Sequence, residues 1–225
     1  AKNVYTMSDL NRISGSLMSY DPVLANNTWE QISEASALGL ASALWSLGDE
    51  KDGCAIIGFN HDDLADGSGK AGITFVCNDD SKTMTGVWNS TNNANINYST
   101  SQPAQKLKDI YNQTGSLSDK LPSGIKEEIK EVKKDYLYSS SVFKDLNCHL
   151  FLLSLKEIAY SFGQTAEGSE YEGRQYVKSS SAIWTRTKLD SSSTGVWWVK
   201  DGSAPPQYDI GGMTANRIYR YGFCV

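Results

Sequence analysis

Hydrophobic residues recur at helical spacing in two segments near the start of the chain. Within residues 7–20, one helical face would carry three apolar side chains, those of Leu10, Ile13 and Leu17. The segment 28–44 opens with a capping box, in which Thr28 and Gln31 satisfy each other's backbone amides, and continues as an alanine-rich run. We therefore expect an N-terminal helical arm within residues 1–27 and a longer helix over the second segment.

Two mostly apolar runs follow, at residues 54–60 and 71–77, and a polar stretch that contains glycines separates them. This pattern predicts two antiparallel strands joined by a loop. If Cys54 faces Cys77, the paired strands have one fully apolar face. Two further pairs would then face each other, Ile56 with Phe75 and Gly58 with Ile73.

The middle of the chain has one polar stretch and one amphipathic stretch. Residues 78–105 are rich in Asn, Ser and Thr and hold a single tryptophan, Trp88, which predicts an irregular surface loop. Residues 121–136, LPSGIKEEIKEVKKDY, repeat apolar residues every three or four positions, with lysines and glutamates between them. This spacing predicts a helix whose charged face lies in solvent. Its buried face would carry four side chains, those of Ile125, Ile129, Val132 and Tyr136.

The last third of the chain alternates strand-like runs with turns. Residues 148–153 predict a buried strand, and Ser154 with Glu157 forms a second capping box at the start of a short helix. Three further strands are predicted within the motifs SAIWTRT, GVWWVKDGSA and RIYRYGFCV, with a hairpin turn at Asp201–Gly202. Helices early and strands late in one chain indicate an α+β fold.

Composition and charge argue against two kinds of partner, nucleic acids and the membrane interior. The formal net charge is −5, and lysines and arginines do not gather into a stripe, which argues against a nucleic-acid partner. No run of apolar residues is long enough for membrane insertion. The N-terminal residues lack the apolar stretch of a signal peptide, so we expect synthesis in a reducing bacterial cytoplasm. Four cysteines without C-x-x-C spacing then fit reduced core residues: Cys54, Cys77, Cys148 and Cys224. A cross-strand disulfide between Cys54 and Cys77 is the alternative.

The groups that catalysis or metal binding needs are sparse. The two histidines, His61 and His149, have no G-x-S-x-G motif that would support a Ser-His-Asp hydrolase. The loop HDDLADGSG lacks the ligand spacing of an EF-hand. We expect no catalytic residue, no cofactor and no metal. Calcium held by this loop is the alternative, and its ligands would be Asp62, Asp63 and Asp66.

The C-terminal segment carries the best candidates for a contact surface. Trp197 and Trp198 are adjacent on a strand, so their side chains point to opposite faces and at least one of them leaves the core side. The stretch that follows the hairpin, APPQYDIGGMTANR, is rich in Gly and Pro and predicts an irregular loop that displays its side chains. The candidate ligand-binding residues are Trp198, Tyr208, Asp209, Met213, Asn216 and Arg217.

Several motifs resemble a known domain family. LFLLSLKEI, AIWTRT, a V-x-x-DG-S hairpin and the closing RYGFCV are similar to a family of unknown function that is common in gut Firmicutes and their phages. That family is usually written VFLLS-x-x-E, WWLRS, V-x-x-DGS and VRPA-[LF]. The earlier TWEQISEASALGLASALWSLGD and IIGFNHDD…GKAGITF resemble a longer version of the family found in phage and prophage proteins. Thr185 stands where a second aromatic residue is usual, and the closing strand has Tyr-Gly-Phe in place of Arg-Pro-Ala.

The resemblance implies a fold and a place for the ligand. It implies a C-type-lectin-like fold of the formylglycine-generating-enzyme type over residues 28–225, with two main helices packed on small antiparallel sheets and a C-terminal strand that closes the core. In relatives of that fold, including the variable proteins of diversity-generating retroelements, the C-terminal segment displays the binding residues. The motifs themselves are structural, so they specify no chemistry.

From these observations we expect a non-enzymatic, lectin-like binding or adhesion domain. It would belong to a phage or prophage particle, made in the bacterial cytoplasm, and would contact a glycan or protein receptor on a cell surface. A location on the bacterial cell surface is the alternative, and a homo-oligomer is a further expectation to test. The runner-up function is a virion decoration or head-fibre protein that meets capsid or tail proteins. An enzyme ranks last.

Overall fold

Two five-stranded sheets and a separate two-stranded hairpin form the framework of the chain. The computed structural model describes residues 20–113, 117, 119–139, 142–158, 167–178, 181–190, 193–200 and 207–225. The helices in these ranges are α1 (Trp29–Ala37), α2 (Ala41–Leu44), α3 (Gln102–Tyr111) and α4 (Leu155–Ile158). The strands are β1 (Glu50–Lys51), β2 (Cys54–Phe59), β3 (Ile73–Cys77), β4 (Met84–Val87), β5 (Val132–Ser139), β6 (Val142–Cys148), β7 (Leu150–Leu152), β8 (Ile183–Lys188), β9 (Gly195–Lys200), β10 (Gln207–Gly212), β11 (Asn216–Tyr219) and β12 (Tyr221–Cys224).

The strand order shows a mixed α+β fold with mainly antiparallel sheets. The first sheet has the order β1-β2-β3-β12-β7, and the second has the order β10-β9-β8-β11-β4. Strands β5 and β6 pair with each other as a hairpin. The β8–β11 pair is parallel, whereas the other pairs in the described ranges are antiparallel. None of these described sheets closes into a barrel.

The capping box that the sequence predicts at the first helix is confirmed. Thr28 Oγ1 accepts a hydrogen bond from the Gln31 amide at 3.1 Å, and Gln31 Oε1 accepts one from the Thr28 amide at 2.8 Å. The predicted helix is nevertheless divided, because Gly39 has a φ of +70° and ends α1 before α2 begins. Of the predicted N-terminal arm, residues 1–19 lie outside the described residues, while Tyr20 and Leu24 are buried against the core.

The predicted pairing of the next two strands is also confirmed, up to a bulge. Cys54 faces Cys77 and Ile56 faces Phe75, but the register then shifts, so that Gly58 faces Thr74 instead of Ile73. The bulge residue Ile57 is held from outside the sheet, since its carbonyl accepts a hydrogen bond from the Gly173 amide at 2.8 Å. The contact between these two backbones requires glycine, because a Cβ at residue 173 would lie 2.7 Å from the Cα of Ile57.

The prediction of an irregular surface loop over residues 78–105 is wrong in two places. The segment contains β4, which pairs with β11, and the start of α3. Trp88 is fully buried, and its indole N–H donates to the Thr185 carbonyl at 3.2 Å. Pairing with distant strands thus orders a stretch whose composition is typical of a loop.

The amphipathic helix predicted over residues 121–136 is wrong. The segment has one 3-10 turn at Lys126–Glu128 and then enters strand β5 at Val132. The four apolar side chains assigned to the buried face are buried as predicted: Ile125, Ile129, Val132 and Tyr136. In a strand, however, alternate residues share a face, so Lys134 points inward between Val132 and Tyr136. Lys134 is accordingly buried, and not solvated as the helix predicted.

The C-terminal elements follow the sequence prediction in part. The run RIYRYGFCV, which was predicted as one strand, forms two, β11 in the second sheet and β12 in the first. The second capping box is present: the Glu157 amide donates to Ser154 Oγ at 3.1 Å, and the Ser154 amide donates to Glu157 Oε2 at 2.7 Å. The turn predicted at Asp201–Gly202 lies outside the described residues. The expected loop after it is instead strand β10, which pairs with β9 from Gln207 to Gly212.

The last strand, β12, lies in the middle of the first sheet between β3 and β7. Phe223 stacks on Phe75 with ring centroids 5.4 Å apart, and Trp29 packs edge-on against Phe75 at 5.3 Å. Cys224 belongs to the apolar cluster on the other side of the sheet. Both faces of the terminal strand are therefore core.

Candidate functional site

Four strands of the second sheet place aromatic and charged side chains on one face. Trp184 on β8 lies directly opposite Trp198 on β9, and Trp198 lies opposite Asp209 on β10. Residues that face each other across an antiparallel pair share a side of the sheet. Arg217 on β11 reaches the same side. We call Trp184, Trp198, Asp209 and Arg217 the aromatic–arginine face.

The guanidinium of Arg217 lies against both tryptophan rings of this face. Its central carbon is 4.3 Å from the ring centroid of Trp198 and 5.1 Å from that of Trp184. Both distances are within the range of cation–π attraction. Burial lowers the pKa of Arg217, and the nearby carboxylate of Asp209 opposes that shift. The guanidinium stays charged at neutral pH, because even a lowered arginine pKa remains far above it.

Two hydrogen-bond donors on this face have no acceptor among the residues that the structure describes. These donors, Trp198 Nε1 and Arg217 Nε, are both buried. Trp184 differs, since its indole N–H donates to the Gly86 carbonyl at 3.2 Å. Buried polar groups without partners are rare in folded proteins, and a bound water, ion or other ligand is one way in which such a group is satisfied.

Gly211 on β10 makes room for the arginine between the two rings. A Cβ at this position would lie 3.0 Å from Nη2 of Arg217, 3.2 Å from the Trp184 ring and 3.3 Å from the Trp198 ring. Such contacts are tighter than most real Cβ contacts. The glycine therefore permits the stacked arrangement, and a side chain there would displace the guanidinium.

The structure brings some of the predicted contact residues together and separates others. Trp198, Asp209 and Arg217 share the aromatic–arginine face, and Asn216 is exposed beside it on β11. Met213 was expected on the contact surface, but this prediction is wrong, because the side chain is fully buried in the main apolar cluster. The side chain of Tyr208 lies outside the described residues.

A second group of polar and charged side chains lies in the interior, and the sequence did not predict it. The ammonium of Lys134 contacts Asp62 Oδ1 at 2.5 Å, Glu157 Oε1 at 2.8 Å and the hydroxyl of Tyr171 at 2.8 Å. Strand β5 brings the lysine, the loop after β2 brings Asp62, and helix α4 brings Glu157. We call these four residues the buried lysine cluster.

Arg186 on β8 borders the buried lysine cluster and pairs with the same glutamate. Its Nη1 contacts Glu157 Oε2 at 2.5 Å, and its Nη2 contacts Oε1 at 2.8 Å. Burial alone would raise the pKa of Glu157, but the charges of Arg186 and Lys134 hold it at about 2. Two cations and two carboxylates thus neutralise one another, which is the condition under which charges are tolerated in a protein interior.

In Lys134 and Asp62, too, the charges of the partners outweigh the effect of burial on the pKa. Burial would lower the pKa of Lys134, but Asp62 and Glu157 raise it above its ordinary value. Burial would raise the pKa of Asp62, but Lys134 and His61 hold it well below its ordinary value. Each group is charged because its partners are charged.

The three carboxylates proposed as calcium ligands do not converge. Asp62 belongs to the buried lysine cluster, Asp63 pairs with Lys70 at 2.9 Å, and Asp66 accepts a hydrogen bond from the Ser68 amide at 2.8 Å. Among the described residues, no three His, Cys, Asp or Glu side chains lie close enough together to hold a metal ion.

A polar cleft of about 350 Å³ leads from the surface to the buried lysine cluster. At its edge, His61 Nε2 lies 2.9 Å from Ser169 Oγ, and His61 Nδ1 lies 3.4 Å from Asp62 Oδ1. The other histidine, His149, stacks on Tyr111 with ring centroids 3.9 Å apart.

Comparison with models of protein families shows which family the chain belongs to. The profile of a family described as "Domain of unknown function (DUF6273)" matches residues 71–220, more than half of the sequence. The chain belongs to the DUF6273 family. The predicted resemblance to a domain family of unknown function is confirmed at this level. No match is found among curated proteins or among solved structures.

The region matched by the DUF6273 profile contains most of both groups of side chains. It includes the four residues of the aromatic–arginine face, and it includes Lys134, Glu157 and Tyr171 of the buried lysine cluster. Asp62 precedes the matched region. None of the helices in the described part of the chain has the length and the apolar composition needed to cross a bilayer.

Proposed function

We propose that this DUF6273 chain is a non-enzymatic, lectin-like binding domain of a phage or prophage particle, and that its aromatic–arginine face contacts a glycan or protein receptor on a cell surface. The observation that carries the proposal is the pair of donors without a partner among the described residues, Trp198 Nε1 and Arg217 Nε, on a face that also presents exposed Asp209. A ligand with hydroxyl or carboxylate oxygens would supply the acceptors that the described part of the chain does not.

The chemistry of the face suits a carbohydrate. Sugar recognition combines an aromatic surface for the apolar side of the ring with polar groups that bind its hydroxyls. Trp198 remains partly exposed and offers an aromatic surface with an N–H group, while Arg217 offers a planar set of donors. Tryptophan and arginine are also the residues most enriched at binding hot spots, so a protein receptor fits the same face.

The lectin-like assignment rests on the sequence motifs and is compatible with the arrangement of the strands. The C-terminal strand of a lectin-like fold closes the core, and β12 lies at the centre of the first sheet. The residues proposed to bind lie on β9, β10 and β11, immediately before that strand. This order matches the placement of binding residues in relatives of the resembling fold.

A virion decoration or head-fibre protein is the second candidate, and the β5–β6 hairpin favours it. Near its tip, three large apolar side chains are exposed: Tyr138, Val142 and Phe143. Exposed apolar patches mark surfaces that contact other proteins. Such a hairpin would meet capsid or tail proteins or a second copy of the chain.

A hydrolase is not proposed, although Ser169, His61 and Asp62 are in sequential contact. In a catalytic triad the aspartate stabilises the imidazolium that forms when the serine gives up its proton. Here the carboxylate of Asp62 is already neutralised by Lys134 at 2.5 Å. It is therefore a poor partner for a second cation on His61.

A glycan array with matched variants tests the proposal. The wild-type protein should bind a chemically related set of glycans, and Trp198→Ala should abolish that binding, whereas Phe143→Ala on the hairpin should leave it intact. A folded wild-type protein that binds no glycan and no host cell would contradict a receptor-binding role. If that protein instead associates with purified particles, and Phe143→Ala weakens the association, the decoration role is supported.

A further inference from the structure

We infer that Lys134 and Asp62 become joined by an intramolecular isopeptide bond, with Glu157 as the group that relays the proton. The inference concerns a covalent modification of the interior and does not depend on the proposed binding function. It rests on the contacts of the buried lysine cluster.

The lysine nitrogen is already in contact with the carboxylate that it would attack. Lys134 Nζ lies 2.5 Å from Asp62 Oδ1, and a second carboxylate oxygen, Glu157 Oε1, lies 2.8 Å from the same nitrogen. Holding a nucleophile beside an electrophilic group inside a folded chain replaces a bimolecular encounter and lowers the entropic part of the barrier. The lysine and aspartate are 72 residues apart in sequence, so the fold alone brings them together.

The three reacting and relaying side chains are buried at the inner end of the polar cleft. The side chains of Lys134, Asp62 and Glu157 are each at most 4% exposed. The ring of Phe151 lies 4.1 Å from Lys134 Nζ and the ring of Tyr171 lies 5.3 Å away. Burial alone would favour the amine and the carboxylic acid, the forms that react, but the paired charges of the cluster favour the ionised forms, so the reaction passes through a minor neutral pair.

The second oxygen of Asp62 is held by hydrogen-bond donors. Thr74 Oγ1 donates to Oδ2 at 2.6 Å, and the Tyr171 hydroxyl lies 2.9 Å from the same atom. When the lysine nitrogen adds to the carboxyl carbon, negative charge develops on this oxygen. Donors fixed at that position stabilise the charge, as in an oxyanion hole. The geometry thus assigns Oδ2 as the oxygen that remains in the amide and Oδ1 as the oxygen that leaves.

The atoms balance without any further reagent. One proton passes from the Lys134 ammonium to Asp62 Oδ1 and gives an amine and a carboxylic acid. The amine nitrogen then bonds to the carboxyl carbon, and Glu157 takes a second proton from the nitrogen and delivers it to the Oδ1 hydroxyl. The bond between carbon and Oδ1 breaks, and one water molecule leaves. The nitrogen keeps its third proton as the amide N–H.

Arg186 is a positioning residue in this scheme. Its two contacts with Glu157 fix the orientation of the carboxylate and keep it ionised, which is the form that accepts a proton. The resulting crosslink would tie the loop after β2 to strand β5 and close a loop of the chain. Such a constraint lowers the entropy of the unfolded state, as a disulfide does.

Intact-mass spectrometry of the denatured full chain tests the inference. The wild-type mass should be lower than the sequence mass by one water molecule, and a digest should contain one branched peptide that joins Lys134 to Asp62. Lys134→Arg should restore the full mass, because a guanidinium is a poor nucleophile. Glu157→Gln should also keep the full mass, since its amide cannot relay the proton. The matched controls Lys133→Arg and Asp63→Asn change exposed neighbours and should retain the water loss.

The intact mass of the wild-type chain shows whether the isopeptide bond forms, even if a variant fails to fold. A folded wild-type chain with the full sequence mass would overturn the inference and leave an ordinary buried ion pair. Aspartates followed by glycine can lose water as succinimides, and Asp52, Asp66 and Asp201 precede glycines. A water loss that the digest places at one of these residues would likewise overturn the inference.

Discussion

Arg186 and Glu157 form a two-pronged ion pair inside the molecule, with nitrogen–oxygen distances of 2.5 and 2.8 Å and side chains that are 0% and 1% exposed. The arginine comes from β8 in the second sheet, while Glu157 caps helix α4 and contacts Lys134 on β5. The pair therefore links the second sheet to the hairpin and to the helix through charged hydrogen bonds.

Removing the arginine should destabilise the fold strongly. Arg186→Met leaves the carboxylate of Glu157 buried with one partner lost, and breaking a buried pair in this way costs about 3–5 kcal/mol. Urea unfolding followed by tryptophan fluorescence measures the change. Arg174→Met is the matched control, because Arg174 is partly exposed and pairs with Glu170 near the surface, where a salt bridge contributes about 1 kcal/mol or less. Equal losses in the two variants would contradict the importance of the buried pair.

The terminal strand should be needed for stability. Phe223 is fully buried against Phe75 and Trp29, so Phe223→Ala creates a cavity and should cost about 3–5 kcal/mol. Phe143→Ala removes the same side chain from the exposed hairpin and should change the free energy of unfolding by less than about 1 kcal/mol. Denaturant unfolding of both variants measures the difference. A small effect at residue 223 would show that the strand does not close the core.

Stability should fall as the pH rises through neutrality, because of Glu167. Burial raises the pKa of this carboxyl from 4.5 to about 7. The folded state holds the proton more tightly than the unfolded chain, so the stabilising contribution is complete below about pH 4.5 and is lost as the pH rises through 7, by about 3 kcal/mol. Glu167→Gln cannot ionise and should lack this loss.

Urea unfolding of the wild type and of Glu167→Gln at several pH values between about 4 and about 8 measures this contribution. The difference in unfolding free energy between the two proteins should change by about 3 kcal/mol across the range. Glu172→Gln, at an exposed carboxylate nearby, should leave the pH dependence of the wild type unchanged. Parallel curves for the wild type and Glu167→Gln would refute a raised pKa at that residue.

Local patterns predict much of this fold. The two capping boxes, at Thr28 and at Ser154, depend on residues three positions apart, and both form as predicted. The facing of Cys54 and Cys77 follows from the apolar alternation of two short strands. The bulge at Ile57 could not be predicted, because its cause is the backbone of Gly173, which is far away in sequence.

The buried lysine cluster was missed for a physical reason. Apolar residues at positions 125, 129, 132 and 136 fit the period of a helix, but Val132 and Tyr136 also fit a strand. The two periods disagree at Lys134, which faces solvent in the helix and the interior in the strand. Lysine side chains are mostly exposed in folded proteins, so the lysine at position 134 favours the helix, in which it would face solvent. Only the carboxylates that distant segments bring near it make its burial tolerable.

The candidate contact surface was predicted in part. The alternation of Trp197 and Trp198 correctly separates them, with Trp197 in one apolar cluster and Trp198 against the other. The glycines and prolines after the hairpin predicted a loop, but pairing with β9 overrides that local preference and forms β10. Met213 directly follows this paired strand, and its burial could not be predicted from local sequence patterns.

The indole N–H signals in a ¹H–¹⁵N correlation spectrum show whether a ligand occupies the aromatic–arginine face. Trp198 Nε1 has no partner in the described part of the chain, whereas the indoles of Trp29 and Trp45 donate to Asp52 and to the Asp21 carbonyl and serve as internal controls. The protein is titrated with the glycan that binds best on the array, and Trp198→Phe assigns the signal. The Trp198 signal should move downfield as the indole N–H gains an acceptor, while the signals of Trp29 and Trp45 should stay in place. A glycan that saturates the protein and leaves the Trp198 signal unmoved would contradict the assignment of the binding face.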